Sequence, residues 1–418
     1  MLARLLYSFV FYCVTPLVLL RLGWRSFREP VYRDTLSQRF GFVARSTERP
    51  IWVHAVSAGE TIAAVPLVRR LIKDGHAVIV TTMTPTGRER VVSLLGNDVE
   101  HCYAPYDLPD AVNRFLSSIR PKALIILDTE LWPNIIHYTH ARGIPGFLVN
   151  GRLSEKSARG YDLIAPISRP MLNKLTRVCV QSESQGYRFR QLGVSEKQLD
   201  VTGSIKFDST LPDDLELRRS ELTRKFVDKK VSLAASTHEG EETEILDAFK
   251  AIAVEPTNLL VLAPRHPHRS DRVYELCVAK GMRVVRHSEN RPCLPETQVY
   301  LLDTMGELVY FYSIAHIAIV GGSLVDVGGH NPMEPASQGV PMIMGRYRRN
   351  IDDIADQFIQ AGAMEVVSDQ KELLAVWQGM LVDKPKLTHM ADAALVVMNA
   401  NRGALDRVEK VILAIIDG

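Results

Sequence analysis

From residue 50 onward the apolar positions fall in short runs separated by loops and by amphipathic stretches, the pattern of strands alternating with helices. Ile51–Val56 reads as a strand that hands over to a helix reaching about Lys73. His76–Met83 is the next strand. Thr84-Pro85 then supplies an N-cap and a proline at the first position of a helix that ends near Gly96. Ala123–Leu127 is the unbroken apolar run of a strand buried on both faces, and residues 144–149 and 177–181 continue the series. Residues 203–216, with Gly203, Pro212 and a mixed polar run, read as a linker. A second series follows, with strands at Val231–Ala235, Leu259–Ala263, Arg283–Val285, Val299–Leu302, Ile317–Val320 and Pro341–Met344. This alternation predicts an α/β fold of two doubly wound, Rossmann-like domains facing a cleft. In such sheets ligands sit outside the carboxyl ends of the strands, so the loops that follow strands carry the information.

The first thirty residues break the pattern. Leu5–Leu20 carries no charge and is bracketed by Arg4 and Arg21. As a helix it reaches ~24 Å, short of the ~30 Å hydrocarbon layer by an amount that snorkelling arginines and local thinning can close. Arg21-Leu22-Gly23-Trp24-Arg25 is a poor signal-cleavage site, and Tyr7, Phe9, Phe11 and Tyr12 cover all faces, unlike a core helix. The expectation is an uncleaved membrane-anchor helix over residues 1–25. Arginines 21, 25, 28, 33, 39, 45 and 49 outnumber the three acids of residues 21–49, which predicts a cytoplasmic body in contact with an anionic membrane surface.

Composition narrows the class. A chain of 418 residues exceeds what one core usually holds, so two domains are expected. A net charge of +2 gives no bulk attraction to nucleic acid. Cys13, Cys102, Cys179, Cys277 and Cys293 are far apart with no CxxC spacing, which fits a reducing compartment with neither disulfides nor structural zinc.

The candidate chemistry follows the strands. Glu60 stands where the first strand meets its helix, and Asp128-Thr129-Glu130-Leu131-Trp132-Pro133-Asn134 follows the Ala123–Leu127 strand. Each acid could cap its helix, or the two could face one pocket. Trp132-Pro133 beside Glu130 fits a shaped pocket or an ordered loop better than capping. In the second half Arg265-His266 follows a strand. Arg265 offers a planar fork suited to phosphate, and plain surface solvation is the competing reading. Asp303-Thr304-Met305-Gly306-Glu307-Leu308 also follows a strand and opens a helix. The densest signal is residues 319–341: Gly321-Gly322-Ser323, then Gly328-Gly329, then His330-Asn331-Pro332-Met333-Glu334. Asn331 fits an N-cap, Pro332 the first helical position and Glu334 the third, as in a capping box. The four glycines suggest backbone amides brought close to a nucleotide phosphate. No GxxxxGK[ST] is present, no GxGxxG follows the first strand, and no DxD pair offers a metal bridge, so a sugar-transfer mechanism would run without metal.

Together "HAVSAGE" (54–60), "TMTPTGRERV" (82–91), "YDLPDAVNRFL" (106–116), "TELWPN" (129–134), "GSIKFD" (203–208), "STHEGEE" (236–242), "APRHP" (263–267), "DTMGEL" (303–308) and "GGSLVDVGGHNPMEP" (321–335) resemble the 3-deoxy-D-manno-octulosonic acid (Kdo) transferases of Gram-negative bacteria along the whole chain. The resemblance implies a GT-B fold with an acceptor-binding domain over 26–210 and a CMP-Kdo-binding domain over 211–418, whose last helix can pack back on the first domain. It implies a lipid A precursor as acceptor and CMP-Kdo as co-substrate, with no cofactor and no metal, at the cytoplasmic side of the inner membrane in lipopolysaccharide synthesis. It places the general base on Glu60 and transition-state stabilisers on Glu130 and Lys206. CMP contacts fall on Arg265, His266, Met305, Gly306, Glu307, Asn331, Pro332, Met333 and Glu334. Two rivals share the sequence evidence: a UDP-sugar transferase or epimerase of the same fold, and a membrane-tethered binding protein without catalysis.

Overall fold

The structure, a computed structural model, describes residues 2–26, 35–208, 211–349 and 351–418, with side chains from residue 24 to 26 excluded. Arg28 and Arg33 of the basic segment, the Arg25 side chain, and residues 209–210 of the expected linker lie outside the described residues. The chain divides into two compact units, Met1–Thr210 with Asn401–Gly418, and Leu211–Ala400.

The first unit is built on seven parallel strands: β1 (Ile51–His54), β2 (Val78–Thr82), β3 (Glu100–Tyr103), β4 (Ala123–Leu127), β5 (Gly146–Gly151), β6 (Arg177–Val180) and β7 (Leu199–Val201). Their order is β3-β2-β1-β4-β5-β6-β7. β1 lies between β2 and β4, with Ile51 opposite both Val78 and Ala123. The direction of winding reverses between β1 and β4, the switch point where doubly wound sheets place ligands. All residues of β1, β2 and β4 are buried, as apolar runs covered by helices on both faces require. Two strands escape the sequence pattern. Glu100-His101-Cys102-Tyr103 is half polar because β3 is an edge, and Leu199–Val201 is only three residues long.

The helix Ala404–Ile416 belongs to this unit. The Asp208 carboxylate accepts the amides of Gly403 at 2.7 Å and Leu405 at 2.6 Å, seating the start of the helix. Leu405, Val408 and Ile412 then enter the core that holds Ile51 and Val53, and Arg70 pairs with Glu409 at 2.9 Å.

The N-terminal helix, Leu2–Ser26, is long and apolar enough to cross a membrane by length and composition. Its burial, however, follows a 3.6-residue period. Arg4, Ser8, Phe11, Thr15, Val18 and Leu22 share one pole and face the first unit, whereas Leu2, Leu6, Phe9, Leu17 and Leu20 share the opposite pole and are exposed. Phe11, Val18 and Leu22 pack on Tyr106, Leu108 and Ala111. Ser8, 4 % exposed, bonds through its hydroxyl with the Asn134 side chain, and the Tyr12 hydroxyl donates to Asp110 at 2.5 Å.

The second unit repeats the plan with β8 (Lys230–Thr237), β9 (Asn258–Pro264), β10 (Val284–Arg286), β11 (Val299–Leu301), β12 (Ile317–Val320), β13 (Met342–Gly345) and β14 (Met364–Val367). The order is β10-β11-β9-β8-β12-β13-β14, all parallel, with the switch point between β8 and β12. A buried hydrogen bond of 2.9 Å from the Trp377 indole to the Ser232 hydroxyl ties the helix Gln370–Val382 to β8.

Candidate active site

In the first unit the candidate residues gather at the carboxyl ends of β1, β4 and β5. Ser57 caps the helix Ala58–Lys73, and Glu60 sits in its first turn. The Glu60 carboxylate accepts the Val56 amide at 2.8 Å and the Ser57 hydroxyl at 2.7 Å. Both bonds favour the charged form, yet the carboxyl is pushed up from 4.5 to about 7. Burial is the main cause, and the nearby charges of Glu130 and Asp128 add to it. Capping and a proton-accepting role are therefore not alternatives at this position; the same side chain shows the geometry of the first and the proton affinity of the second.

Glu130 and Trp132 lie in the loop after β4. The Trp132 indole donates to Glu130 at 3.0 Å, and its ring stands edge-on to His54 with centroids 5.2 Å apart. His54 is fully buried at the end of β1, and burial pushes its imidazole down to about 4, so it stays neutral. The loop's far end is fixed from a third segment. Asp107, buried, accepts the amides of Asn134 at 3.0 Å and Ile135 at 2.7 Å, capping the helix Pro133–Ala141. Burial raises this carboxyl to about 6.

Lys206 reaches Asp128 at 3.5 Å. Asp128 also accepts a short hydrogen bond from the Asn150 side chain. Asp128 and Asn150 both occupy the left-handed region, with φ of 54° and 61°. Two polar residues held there at adjacent strand ends mark a shaped site rather than generic turns. From the sequence, Asp128 is quoted in the loop after β4 without a role, and Asn150, the last residue but one of β5, is not singled out. The available signal is an Asp and an Asn at the ends of consecutive buried strands, residue types that tolerate positive φ.

In the second unit the expected donor residues also lie beyond strand ends. Arg265 and His266 follow β9 and are exposed; Met305 and Gly306 follow β11 and are exposed, Gly306 with φ of 84°. Glu307 is already engaged, by His287 at 2.7 Å and Arg218 at 3.3 Å. Asn331 and Glu334 are exposed, while Pro332 and Met333 are buried.

The structure corrects the reading of the glycine-rich segment. The amides of Gly322, Ser323 and Leu324 are not turned to a ligand. They donate to the carboxylate of Glu241, as does the amide of His238, at 2.8 to 2.9 Å, and Glu241 is fully buried. The anion this turn cradles is the protein's own. The amides of Gly328, Gly329 and His330 return to the carbonyls of Gly321 and Gly322. Gly321 is required because a Cβ there would stand 2.5 Å from the Ser236 carbonyl oxygen, and Gly322 because the His330 ring would lie 2.8 Å from its Cβ. The capping reading also shifts. The helix is short, Met333–Ser337, and its N-cap position is Pro332. The Asn331 side chain accepts the Met333 amide at 3.0 Å, an Asx turn ahead of the helix, with no capping-box bond from Glu334 among the described residues.

Two histidines that sequence reasoning passed over meet here, His330 from this turn and His238 from the loop after β8, although both lie in quoted motifs. His238 and His330 approach Nε2 to Nε2 at 2.8 Å, with His266 edge-on to His238 at 5.8 Å. Burial, then His238 and Arg265, push the His330 imidazole down to about 4, so that ring is neutral, and a hydrogen bond links the two Nε2 atoms. Among the described residues no group of three or more His, Cys, Asp or Glu is placed to hold a metal ion.

A family model described as 3-Deoxy-D-manno-octulosonic-acid transferase (kdotransferase) matches residues 34–209. The chain is 39% identical over 414 residues to the 3-deoxy-D-manno-octulosonic acid transferase of Haemophilus influenzae, with 97% of each chain covered. It is 36% identical over 369 residues to the protein of the same name from Bordetella pertussis, covering 86% of this chain and 85% of that one. Among solved structures, UDP-GlcNAc 2-epimerase from Neisseria meningitidis bound to UDP-GlcNAc has a TM-score of 0.60 over 87% of this chain and 100% of that one, at 15% identity. That likeness establishes the fold, two doubly wound units of the GT-B type.

Proposed function

Because the chain belongs to the 3-deoxy-D-manno-octulosonic acid (Kdo) transferase family and is a glycosyltransferase, we propose that it moves Kdo from CMP-Kdo to a hydroxyl of a lipid A precursor, inverting the anomeric carbon without a metal ion. The acceptor oxygen attacks that carbon as its bond to the CMP phosphate oxygen breaks. The bonding pair leaves with CMP, and the hydroxyl proton passes to the Glu60 carboxylate. One displacement inverts the centre. The observation that carries this reading is Glu60 itself, a carboxyl held to about 7 beside Glu130 and Asp128. At neutral pH a large share of it is ionised, and its proton affinity suits a general base, a role worth ~10²–10⁴-fold.

The remaining roles follow from charge. The transition state carries positive charge on the sugar ring and gathers negative charge on the departing phosphate. Glu130, oriented by Trp132, suits the first, and Lys206, held by Asp128, suits the second. In the second unit we assign the donor to Arg265 and His266, to Met305, Gly306 and Glu307, and to Asn331 through Glu334. The corrected glycine turn supports this site indirectly. It gives the loop that presents His330 and Asn331 a fixed backbone instead of supplying phosphate ligands.

We also assign the chain to the cytoplasmic face of the inner membrane, held by the N-terminal helix. With one pole docked on the first unit and the other apolar, that helix fits a membrane interface plane better than a perpendicular crossing. The experiment that tests the activity is incubation with CMP-Kdo and a tetra-acylated lipid A precursor, read by product mass spectrometry. A mass increase by one or more Kdo residues is expected. Calorimetry with CMP and UDP separates the rival of the same fold: tight UDP binding without CMP binding overturns the donor assignment.

A further inference from the structure

Beside the docked pole of the N-terminal helix is a cavity of about 270 Å³, walled by that helix, the helix Pro133–Ala141 and the segment Ala165–Lys174. Its apolar wall includes Ile167, Pro170 and Met171. Its polar lining is Arg4, His137 and Lys174, with no acid among them. We propose that this cavity binds the phosphate group of a membrane amphiphile, with Arg4 and Lys174 as its cationic partners.

Four observations carry the proposal. The first is that two cations share a partly enclosed space whose lining holds no acid. Lys174 makes no side-chain hydrogen bond or ion pair among the described residues. Arg4 donates to the Asn134 amide oxygen at 2.8 Å and lies over the Tyr138 ring at 5.2 Å, neither of which neutralises it. Asp107 interacts electrostatically with Arg4, but it lies outside the lining and its carboxylate accepts the amides of Asn134 and Ile135. The second is the response of the neighbours. Burial and then Arg4 lower the Lys174 ammonium, while burial, Arg4, Lys174 and His140 lower His137 to about 4. The His137 Nδ1 is buried and unpartnered. Cations held this way gain from a phosphate that a neutral ligand could not offer.

The third observation is a contrast. An open concavity of about 650 Å³ elsewhere in the same unit is also lined by arginines, but there Arg159 pairs with Glu155 and Arg169 with Asp162. Arg188 there bonds only the Leu153 carbonyl, so the contrast lies in the acids: Glu155 and Asp162 line that concavity and none lines this one. The fourth is the surroundings. Leu163 and Ile164, directly ahead of the wall segment Ala165–Lys174, are exposed, and Leu2 and Leu6 are exposed on the far pole of the helix that carries Arg4. The cavity's volume falls below the ~300–1,000 Å³ of sites that enclose a whole drug-sized ligand, so it suits a headgroup whose chains remain in the lipid.

The test is direct binding to the full-length protein in neutral detergent. Dihexanoyl phosphatidic acid, dihexanoylglycerol and inorganic phosphate serve as probes in calorimetry. Phosphatidic acid is expected to bind, dihexanoylglycerol and phosphate to bind at least ~10-fold more weakly, and Lys174→Gln to weaken the phosphatidic acid complex by about tenfold, with Lys174→Arg restoring it. Phosphatidic acid should also raise the pKa of His137 followed by NMR. Equal affinity for dihexanoylglycerol, equal affinity for inorganic phosphate, or no response to Lys174→Gln overturns the proposal. Two further arms identify the source of the phosphate. If Lys174→Gln raises KM for the lipid acceptor at unchanged kcat, the occupant is the acceptor. If it lowers binding to phosphatidylglycerol vesicles at unchanged KM, the occupant is a bilayer lipid. The binding readout does not depend on Glu60, so it stands whether or not the assignment of the base holds.

Discussion

Ser57 and Glu60 exchange hydrogen bonds across one turn: the Ser57 hydroxyl donates to Glu60 Oε1 at 2.7 Å and accepts the Glu60 amide at 3.3 Å. The first bond stabilises the carboxylate and works against the burial that raises it. Removing it with Ser57→Ala therefore lifts the Glu60 pKa further above 7. The acidic limb of the kcat/KM profile should move to higher pH, with a larger loss at pH 6.5 than at pH 8.5. A profile that keeps its position while the rate falls equally at both pH values would make Ser57 a helix cap alone.

Glu60→Gln removes the base but keeps an oxygen able to accept the Val56 amide. Activity should fall at least ~100-fold. Stability should move the other way. The carboxyl ionises near 4.5 when unfolded and near 7 when folded, so between those values the unfolded state binds fewer protons and stability declines as pH rises. Above pH 7 the full penalty remains, on the order of 1–3 kcal/mol. The amide carries no such penalty. The variant should be at least as stable as the parent at pH 8 and show no advantage at pH 4, measured by urea denaturation. Lost stability at pH 8 that tracks lost activity would return Glu60 to a structural role.

The strands that could be read from residues alone were those with continuous apolar runs: Ala123–Leu127 and Ile317–Val320 are legible to the residue because both faces are buried. Of the four edge strands only one was read, as Arg283–Val285 against Val284–Arg286 in the structure. Glu100–Tyr103 and Met364–Val367 carry charge because one side of each has no neighbouring strand. The chemistry divided similarly. Glu60 and Glu130 are visible as charged residues after buried strands, whereas Lys206 is reached only through the family resemblance. The partners that set their behaviour, Asp107, Asn150 and His54, become neighbours only when the sheet order is known. The glycine turn is the clearest case. Its anion comes from Glu241, 81 residues before Gly322, and they meet because β8 lies beside β12.

Glu241 should be among the costliest single positions in the second unit. Four amides converge on one buried carboxylate, and Glu241→Gln offers them a single oxygen while turning an NH₂ toward the rest. A destabilisation of about 3–5 kcal/mol is expected in urea denaturation, the cost of leaving buried charged-bond partners unmatched. Any folded variant should bind CMP more weakly, because the same amides fix the loop carrying His330 and Asn331. A change under ~1 kcal/mol would show that water replaces the carboxylate.

Asp128→Gly separates backbone strain from side-chain function. Glycine relieves the left-handed backbone, which costs a non-glycine residue ~1 kcal/mol, and that gain offsets the lost bonds to Asn150 and Lys206. Thermal stability should change little. Without its partner the Lys206 ammonium is no longer oriented, so kcat should fall about tenfold or more while KM for the acceptor holds. Unchanged kcat would remove Asp128 from the site and leave Lys206 self-positioned.

The two poles of the N-terminal helix should respond to substitution in opposite ways. Leu6 and Leu17 are 63% and 65% exposed on the apolar pole. Replacing both with Glu puts charge where acyl chains would lie, at a cost of a few kcal/mol against insertion, yet disturbs no packed contact. The double variant should lose vesicle co-sedimentation and keep its denaturation midpoint. Ser8→Val acts on the docked pole, where it leaves the Asn134 side chain short of a partner in a buried setting. It should lower stability by about 1–3 kcal/mol and leave vesicle binding of the folded protein intact. If instead the Glu substitutions unfold the protein while vesicle binding survives in Ser8→Val at full stability, the assignment of poles is reversed. A helix crossing the bilayer perpendicularly predicts a third outcome: a tag fused ahead of Leu2 would be cleaved by protease added outside sealed spheroplasts. An in-plane helix keeps that tag on the same side as the body of the protein, protected until the membrane is opened.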